Sequence, residues 1–157
     1  MWFWPLIVIF LFYFFAALQN SFFAHFNLFG AAPNLVFVFF LLLIFFERQN
    51  KNLQIIFYAI VAGLFLDIFS YRYLGVSVVL FIFIGLLTKK IQSLLKEKRD
   101  KYPFIYFAFL VFVSLIVYEL LLTASLGISF FGRVIYGLLF AAAGFYIYKK
   151  IRKNAAQ

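Results

Sequence analysis

Few side chains in this sequence could take part in chemistry, and they are scattered among long apolar runs. Outside the polar turns the ionisable residues are Asp67, Glu119 and Arg133, with Arg72 at a turn, and the single histidine is His25. The chain has no cysteine, so disulfides, thiolate catalysis and cysteine metal sites are excluded, and one histidine cannot form a histidine metal cluster. What has to be explained is why an apolar chain keeps isolated carboxylates.

Two catalytic arrangements can be tested against these residues. A serine–histidine pair would use Ser77 of the segment "GVS" with His25, but a lone GxS is a weak pattern and a third, orienting group is missing. An aspartyl-type site needs two carboxylates that share a proton, whereas Glu119 has Arg133 as a candidate partner and only Asp67 remains. No phosphate-binding glycine loop or metal motif occurs. The sequence therefore predicts that the protein is not an enzyme and holds no cofactor or metal.

The composition indicates the solvent in which these side chains lie. The chain has 157 residues, of which 68% are hydrophobic and 25% aromatic, whereas a soluble domain is about half apolar. A soluble fold of this size could not bury so much apolar surface. The sequence predicts an integral membrane protein with a single domain, residues 1–157.

The apolar runs predict an all-α bundle of six transmembrane helices, since a span needs about 20 residues. The predicted spans are 2–18, 31–47, 53–69, 74–90, 102–124 and 130–148. We expect polar side chains only in the half of these helices that lies away from the two termini. The half nearer the termini would then have no polar side chains that could line a water-filled path. A channel is therefore not indicated.

The distribution of basic residues predicts the orientation of the spans. With six spans, twelve of the fourteen Lys and Arg residues share the side of the two termini, and only Arg72 and Arg133 lie on the other side. The twelve are Arg48, Lys51, Lys89, Lys90, Lys96, Lys98, Arg99, Lys101, Lys149, Lys150, Arg152 and Lys153. The positive-inside rule places both termini in the cytoplasm. The net charge of +9 is then mostly topological, with some attraction for anionic lipids and little support for nucleic-acid binding.

Hairpin geometry brings two of the charges to the same depth. Glu119 lies seven residues before Leu126, the centre of the last hairpin, and Arg133 lies seven residues after it. At 1.5 Å per residue both would lie about 10 Å inside the helix ends. A charge at mid-bilayer costs about 2.5–3.5 kcal/mol on insertion scales. We therefore expect an ion pair in the outer half of the bundle.

Small residues share helix faces with the charged residues, at a spacing that lets membrane helices approach closely. The sets are Ala59, Gly63 and Asp67 in the third span, and Arg133, Gly137, Ala141 and Gly144 in the sixth. The sixth-span stripe is a candidate docking surface if it is not used inside the bundle. The charges could fix helix register or could bind a partner or ligand, and the sequence leaves both open. Asp67 could cap or pair locally with Arg72, and Gly75 would let the fourth helix start close to its neighbour.

Three motifs resemble those of a known family. They are "LQNS" at the end of the first span, "GAAPNL" opening the second, and "GLFLDIFSYRYLG" closing the third. Their order and spacing are similar to those of the rod shape-determining protein MreD family. Family members commonly have Pro-Asp-Leu where this chain has Pro33, Asn34 and Leu35, so the usual acid is missing. The matching positions of the third motif are Gly63, Leu64, Asp67, Leu74 and Gly75.

The resemblance implies a non-catalytic protein of the bacterial plasma membrane that takes part in cell elongation. It implies binding to the single-span protein MreC, and through it to the peptidoglycan polymerase RodA and its class B penicillin-binding partner, above the filament MreB. The six helices of the family also resemble the substrate-binding S-component of energy-coupling-factor transporters. A vitamin-binding subunit of such a transporter is the alternative function.

Overall fold

A computed structural model describes residues 3–25, 32–46, 52–70, 73–95, 101–123 and 128–154 of the chain. Within these ranges it contains six α-helices, a short 3-10 turn and no strand. The helices are α1 Phe3–Ser21, α2 Leu35–Phe46, α3 Asn52–Phe69, α4 Val76–Leu94, α5 Pro103–Thr123 and α6 Ile128–Asn154, and the turn is Phe23–His25. The all-helical architecture agrees with the prediction.

Five of these six helices are long and apolar enough to cross a membrane, and α2 is shorter. Its 12 residues extend over about 18 Å at 1.5 Å per residue, less than the predicted span 31–47. All its residues are apolar and ten of them are buried, because α2 packs against each of the other five helices. A helix that is apolar on every face belongs at the centre of a bundle.

The ends of two other helices also differ from the predicted spans. Helix α4 continues to Leu94 instead of ending at residue 90, and α6 runs from Ile128 to Asn154 instead of 130–148. The segment added at the end of α6 contains Lys149, Lys150 and Lys153, and lysine is a good helix former, so the helix need not end where its apolar run ends. In α4 and α6 the apolar length of the span therefore underestimates the length of the helix, whereas in α2 it overestimates it.

A glycine and contacts between side chains show how neighbouring helices pack. Helices α3 and α4 are the closest pair, since a Cβ at Gly63 would lie 2.5 Å from the Cα of Val78. Helix α1 runs beside α3 in the same direction, because the Trp4 indole N–H donates to the Tyr58 hydroxyl at 3.3 Å and, further along both helices, the Tyr13 and Phe65 ring centroids lie 5.9 Å apart. The C-termini of α1 and α3 lie at the same end of the bundle, which we call the outer end. The opposite end is the inner end.

The orientation of the bundle is open to a direct test, because the chain has no native cysteine. Ser93 lies exposed near the inner end of α4, and Ser21 lies exposed at the outer end of α1. In intact spheroplasts an impermeant thiol reagent should label Ser21→Cys and leave Ser93→Cys unlabelled until the membrane is broken. Labelling of Ser93→Cys in intact spheroplasts would contradict the cytoplasmic placement of the inner end.

Candidate functional site

The carboxylate of Asp67 caps the helix that follows its own. Asp67 is 1% exposed near the outer end of α3, and its Oδ2 accepts the backbone N–H of Gly75 at 2.7 Å. Both its oxygens also accept the N–H of Ser77, at 3.2 and 3.3 Å. The first N–H groups of a helix have no hydrogen-bond partner within the helix. A negative charge near them also interacts favourably with the helix dipole. The N-cap position of α4 is Gly75, which has no side chain for this purpose, so α3 supplies the acceptor.

Gly75 and Gly63 have different roles, although the sequence suggested close helix approach at both. Gly75 has φ 101° and ψ −16°, a left-handed conformation that glycine adopts without strain. A Cβ at Gly75 would meet nothing within 4 Å, so the interpretation that Gly75 permits close helix approach is wrong. The close approach occurs at Gly63, one turn before Asp67 on the same face of α3. Arg72, the other candidate partner of Asp67, lies outside the described residues.

The second polar contact in the outer half is the ion pair between Glu119 of α5 and Arg133 of α6. The Arg133 Nη1 lies 2.6 Å from both carboxylate oxygens of Glu119. The Glu119 side chain is 4% exposed and that of Arg133 is 26% exposed, and Arg133 Nη2 also lies 3.5 Å from the Ser129 hydroxyl. The structure thus brings together the two residues that hairpin depth predicts to meet. Pairing offsets much of the cost of placing either charge among apolar helices.

The small-residue stripe of α6 lies inside the bundle. A Cβ at Gly137 would come within 2.6 Å of the Leu115 side chain of α5, and one at Gly144 within 2.5 Å of Leu42 of α2. Ala141, between them, is 1% exposed. The stripe therefore packs α6 against α5 and α2 inside the bundle, so the condition under which it would be a docking surface for a partner is not met.

Asn34 and Pro33 shape the entry into α2. Pro33 is buried, and the Asn34 Oδ1 accepts the backbone N–H of Phe37 at 3.1 Å, which is an N-cap contact. Such a contact needs an acceptor rather than a charge. The amide at position 34 therefore performs the capping that an aspartate would perform there.

The inner half of the bundle holds buried polar groups that the sequence analysis missed. Thr88 and Gln92 of α4 are 1% and 5% exposed, and Thr88 Oγ1 and Gln92 Nε2 find no hydrogen-bond partner among the described residues. Ser114, in the middle of α5, is also buried, at 2% exposure. The expectation that the inner half of the helices has no polar side chains is therefore wrong. The spacing of Gly85, Thr88 and Gln92 along one face of α4 was the available signal.

The remaining polar candidates make no common site in the part of the chain that the structure describes. His25 is exposed in the 3-10 turn after α1. No group of three His, Cys, Asp or Glu residues in the described ranges could hold a metal ion. Asp67 and Glu119 each contact groups of this same chain, so the polar groups of the outer half join helices in pairs: α3 to α4, and α5 to α6.

The motifs that surround these contacts can be compared with known families. The sequence model of the rod shape-determining protein MreD matches residues 2–143. The chain belongs to the MreD family. This match includes the Asp67 cap, the capped start of α2 and the Glu119–Arg133 pair, and it ends within α6 at residue 143. No curated protein sequence and no solved structure matches the chain.

Membership in the MreD family establishes a rod shape-determining role for this membrane protein at the level of the family. The family match and the apolar helices together place the protein in a bacterial membrane. The resemblance of the fold to transporter S-components finds no solved structure to support it.

Proposed function

We propose that this MreD-family protein is a non-catalytic membrane scaffold of the bacterial cell-elongation machinery. It binds an MreC-like single-span protein and, with it, helps to position RodA and the class B penicillin-binding partner above the MreB filament. The observation that carries this proposal is the family match over residues 2–143, which includes five complete helices and part of the sixth.

The contacts of the buried carboxylates support a structural use of the polar groups. The Asp67 carboxylate accepts hydrogen bonds from two backbone N–H groups, and the Glu119 carboxylate forms an ion pair with Arg133. Each contact ties one helix to the next in the chain, and buried polar contacts of this kind hold membrane helices in register. A scaffold needs such a rigid bundle, because a partner helix recognises a fixed arrangement of side chains.

Depletion of the protein in its rod-shaped host should make cells round within a few generations while the uptake of vitamins stays unchanged. A plasmid copy should restore rods, and affinity purification of that copy should recover an MreC-like protein. The matched control is a copy carrying Ser77→Ala, which removes a hydroxyl without a described partner and should restore rods as well.

The same experiment distinguishes the transporter alternative. Cells that stay rod-shaped on depletion but lose the uptake of one vitamin would reject the scaffold and support an S-component-like subunit. Rounding of the cells without recovery of an MreC-like protein would retain the role in cell shape and reject the proposed partner.

A further inference from the structure

The inner end of α6 extends beyond the central helix of the bundle. The Tyr148 ring stacks on the ring of Phe46, the last residue of α2, with centroids 4.2 Å apart and an interplanar angle of 22°. Helix α6 continues from there to Asn154, about 9 Å further at 1.5 Å per residue. The stack holds one face of this extension against the bundle, so its other faces point away from the core.

The outward faces of the extension combine apolar and basic side chains. Ile147 and Ile151, one turn apart, are 60% and 62% exposed, and Tyr146 is 60% exposed. Lys149 and Lys150 are also exposed; Lys150 lies three residues after Ile147 and four after Tyr146, and Lys149 lies three residues after Tyr146, so each lysine has a neighbour on the helix surface among these residues. An exposed helix surface with isoleucines beside lysines is suited to the boundary between acyl chains and headgroups of a membrane.

The charge of the protein is concentrated at this end. By sequence, the inner ends of the helices and the segments that join or follow them contain twelve Lys and Arg residues and the acids Glu47, Glu97 and Asp100, which account for the whole net charge of +9. The other Arg residues, Arg72 and Arg133, are balanced by Asp67 and Glu119. The inner end therefore attracts anions, and the outer half has no net charge of its own.

We propose that residues 146–151 of α6 form a binding site for anionic phospholipids. The isoleucines lie among the acyl chains near the headgroups, and Lys149 and Lys150 extend along the lipid to contact its phosphate, as lysine side chains at membrane boundaries do. An acidic protein surface or a nucleic acid would match the lysines but would leave Ile147 and Ile151 exposed to water. A phospholipid provides both a phosphate and an apolar chain to the same helix surface, so the exposed pattern favours lipid. This inference is independent of the proposed scaffold function.

The test measures how strongly the full-length protein retains phosphatidylglycerol over phosphatidylcholine. Native mass spectrometry of protein extracted from vesicles containing equal amounts of the two lipids counts the bound molecules of each. The double variant Lys149→Gln, Lys150→Gln should weaken phosphatidylglycerol retention about tenfold or more, since it removes the direct charged contacts of both lysines with the phosphate. The double variant Ile147→Ser, Ile151→Ser should also weaken it.

The matched control removes the same charge from the same end of the bundle. Lys89 and Lys90 are adjacent residues of α4, which makes no contact with α6 in the described ranges, and the variant Lys89→Gln, Lys90→Gln should change retention by less than about twofold. Equal losses from both lysine pairs would show a general charge effect and overturn the site. Unchanged retention in the isoleucine variant would overturn it too. The site would also be overturned if the Lys149→Gln, Lys150→Gln variant retained phosphatidylglycerol normally but no longer bound a soluble acidic partner protein.

Discussion

Replacement of Glu119 by glutamine should lower the free energy of unfolding by about 3 kcal/mol, because removing one partner of a buried ion pair strands the other charge. Arg133→Gln should have a similar effect, since it leaves the Glu119 carboxylate, whose side chain is 4% exposed, without the guanidinium 2.6 Å away. Denaturant titration in detergent micelles, followed by helix content, measures both losses.

The double variant distinguishes the ion pair from two independent effects. With Glu119→Gln and Arg133→Gln together no charge is stranded, so the loss should be smaller than the sum of the single losses by roughly 1–3 kcal/mol. Ser129→Ala is the matched control, because its hydroxyl lies 3.5 Å from Arg133 Nη2 and a weak contact should change stability little. Strictly additive losses would contradict the pair.

Replacement of Asp67 by alanine should lower the free energy of unfolding by about 2–4 kcal/mol, since two N–H groups at the start of α4 lose their acceptor. Asp67→Asn should lose less, because the amide oxygen can still accept one of these hydrogen bonds. The same denaturant titration applies, and both variants should insert normally because the apolar spans are unchanged.

Ser77 provides the control for the Asp67 variants. Its N–H is bound by Asp67, but its buried hydroxyl has no hydrogen-bond partner among the described residues. Ser77→Ala keeps the N–H and removes an unsatisfied group, so we expect almost no loss of stability. A loss from Ser77→Ala as large as that from Asp67→Ala would argue against the cap and for simple sensitivity of this close-packed region.

The sequence predicted contacts that follow from distance along the chain. Consecutive membrane helices form antiparallel hairpins, so equal spacing about Leu126 places Glu119 and Arg133 at the same depth. The same reasoning placed Asp67 at a helix end beside the start of the next helix. Such predictions need only a regular rise per residue, which helices in lipid maintain because every backbone group must be satisfied within the segment.

The sequence could not predict which face of a helix another helix covers. The spacing of Gly137, Ala141 and Gly144 identifies a face suited to close packing, but a partner protein or the chain itself could occupy it. Likewise, the sequence placed Gly63 on a close-packing face, as the structure has it, but did not show that Gly75 permits a left-handed turn and not a close contact. Both distinctions depend on the positions of atoms distant in the chain.

The sequence by itself determined the all-helical architecture, the depth of the charged residues and the membership of a known family, because these depend on composition, local spacing and motifs. Only the tertiary structure decided that α2 is the central helix, that the α6 stripe is buried and that Asp67 serves backbone N–H groups of α4. The physical reason is that lipid and protein interiors are both apolar. Apolar residues in a membrane helix therefore do not indicate whether lipid or another helix covers them, and packing alone makes the difference.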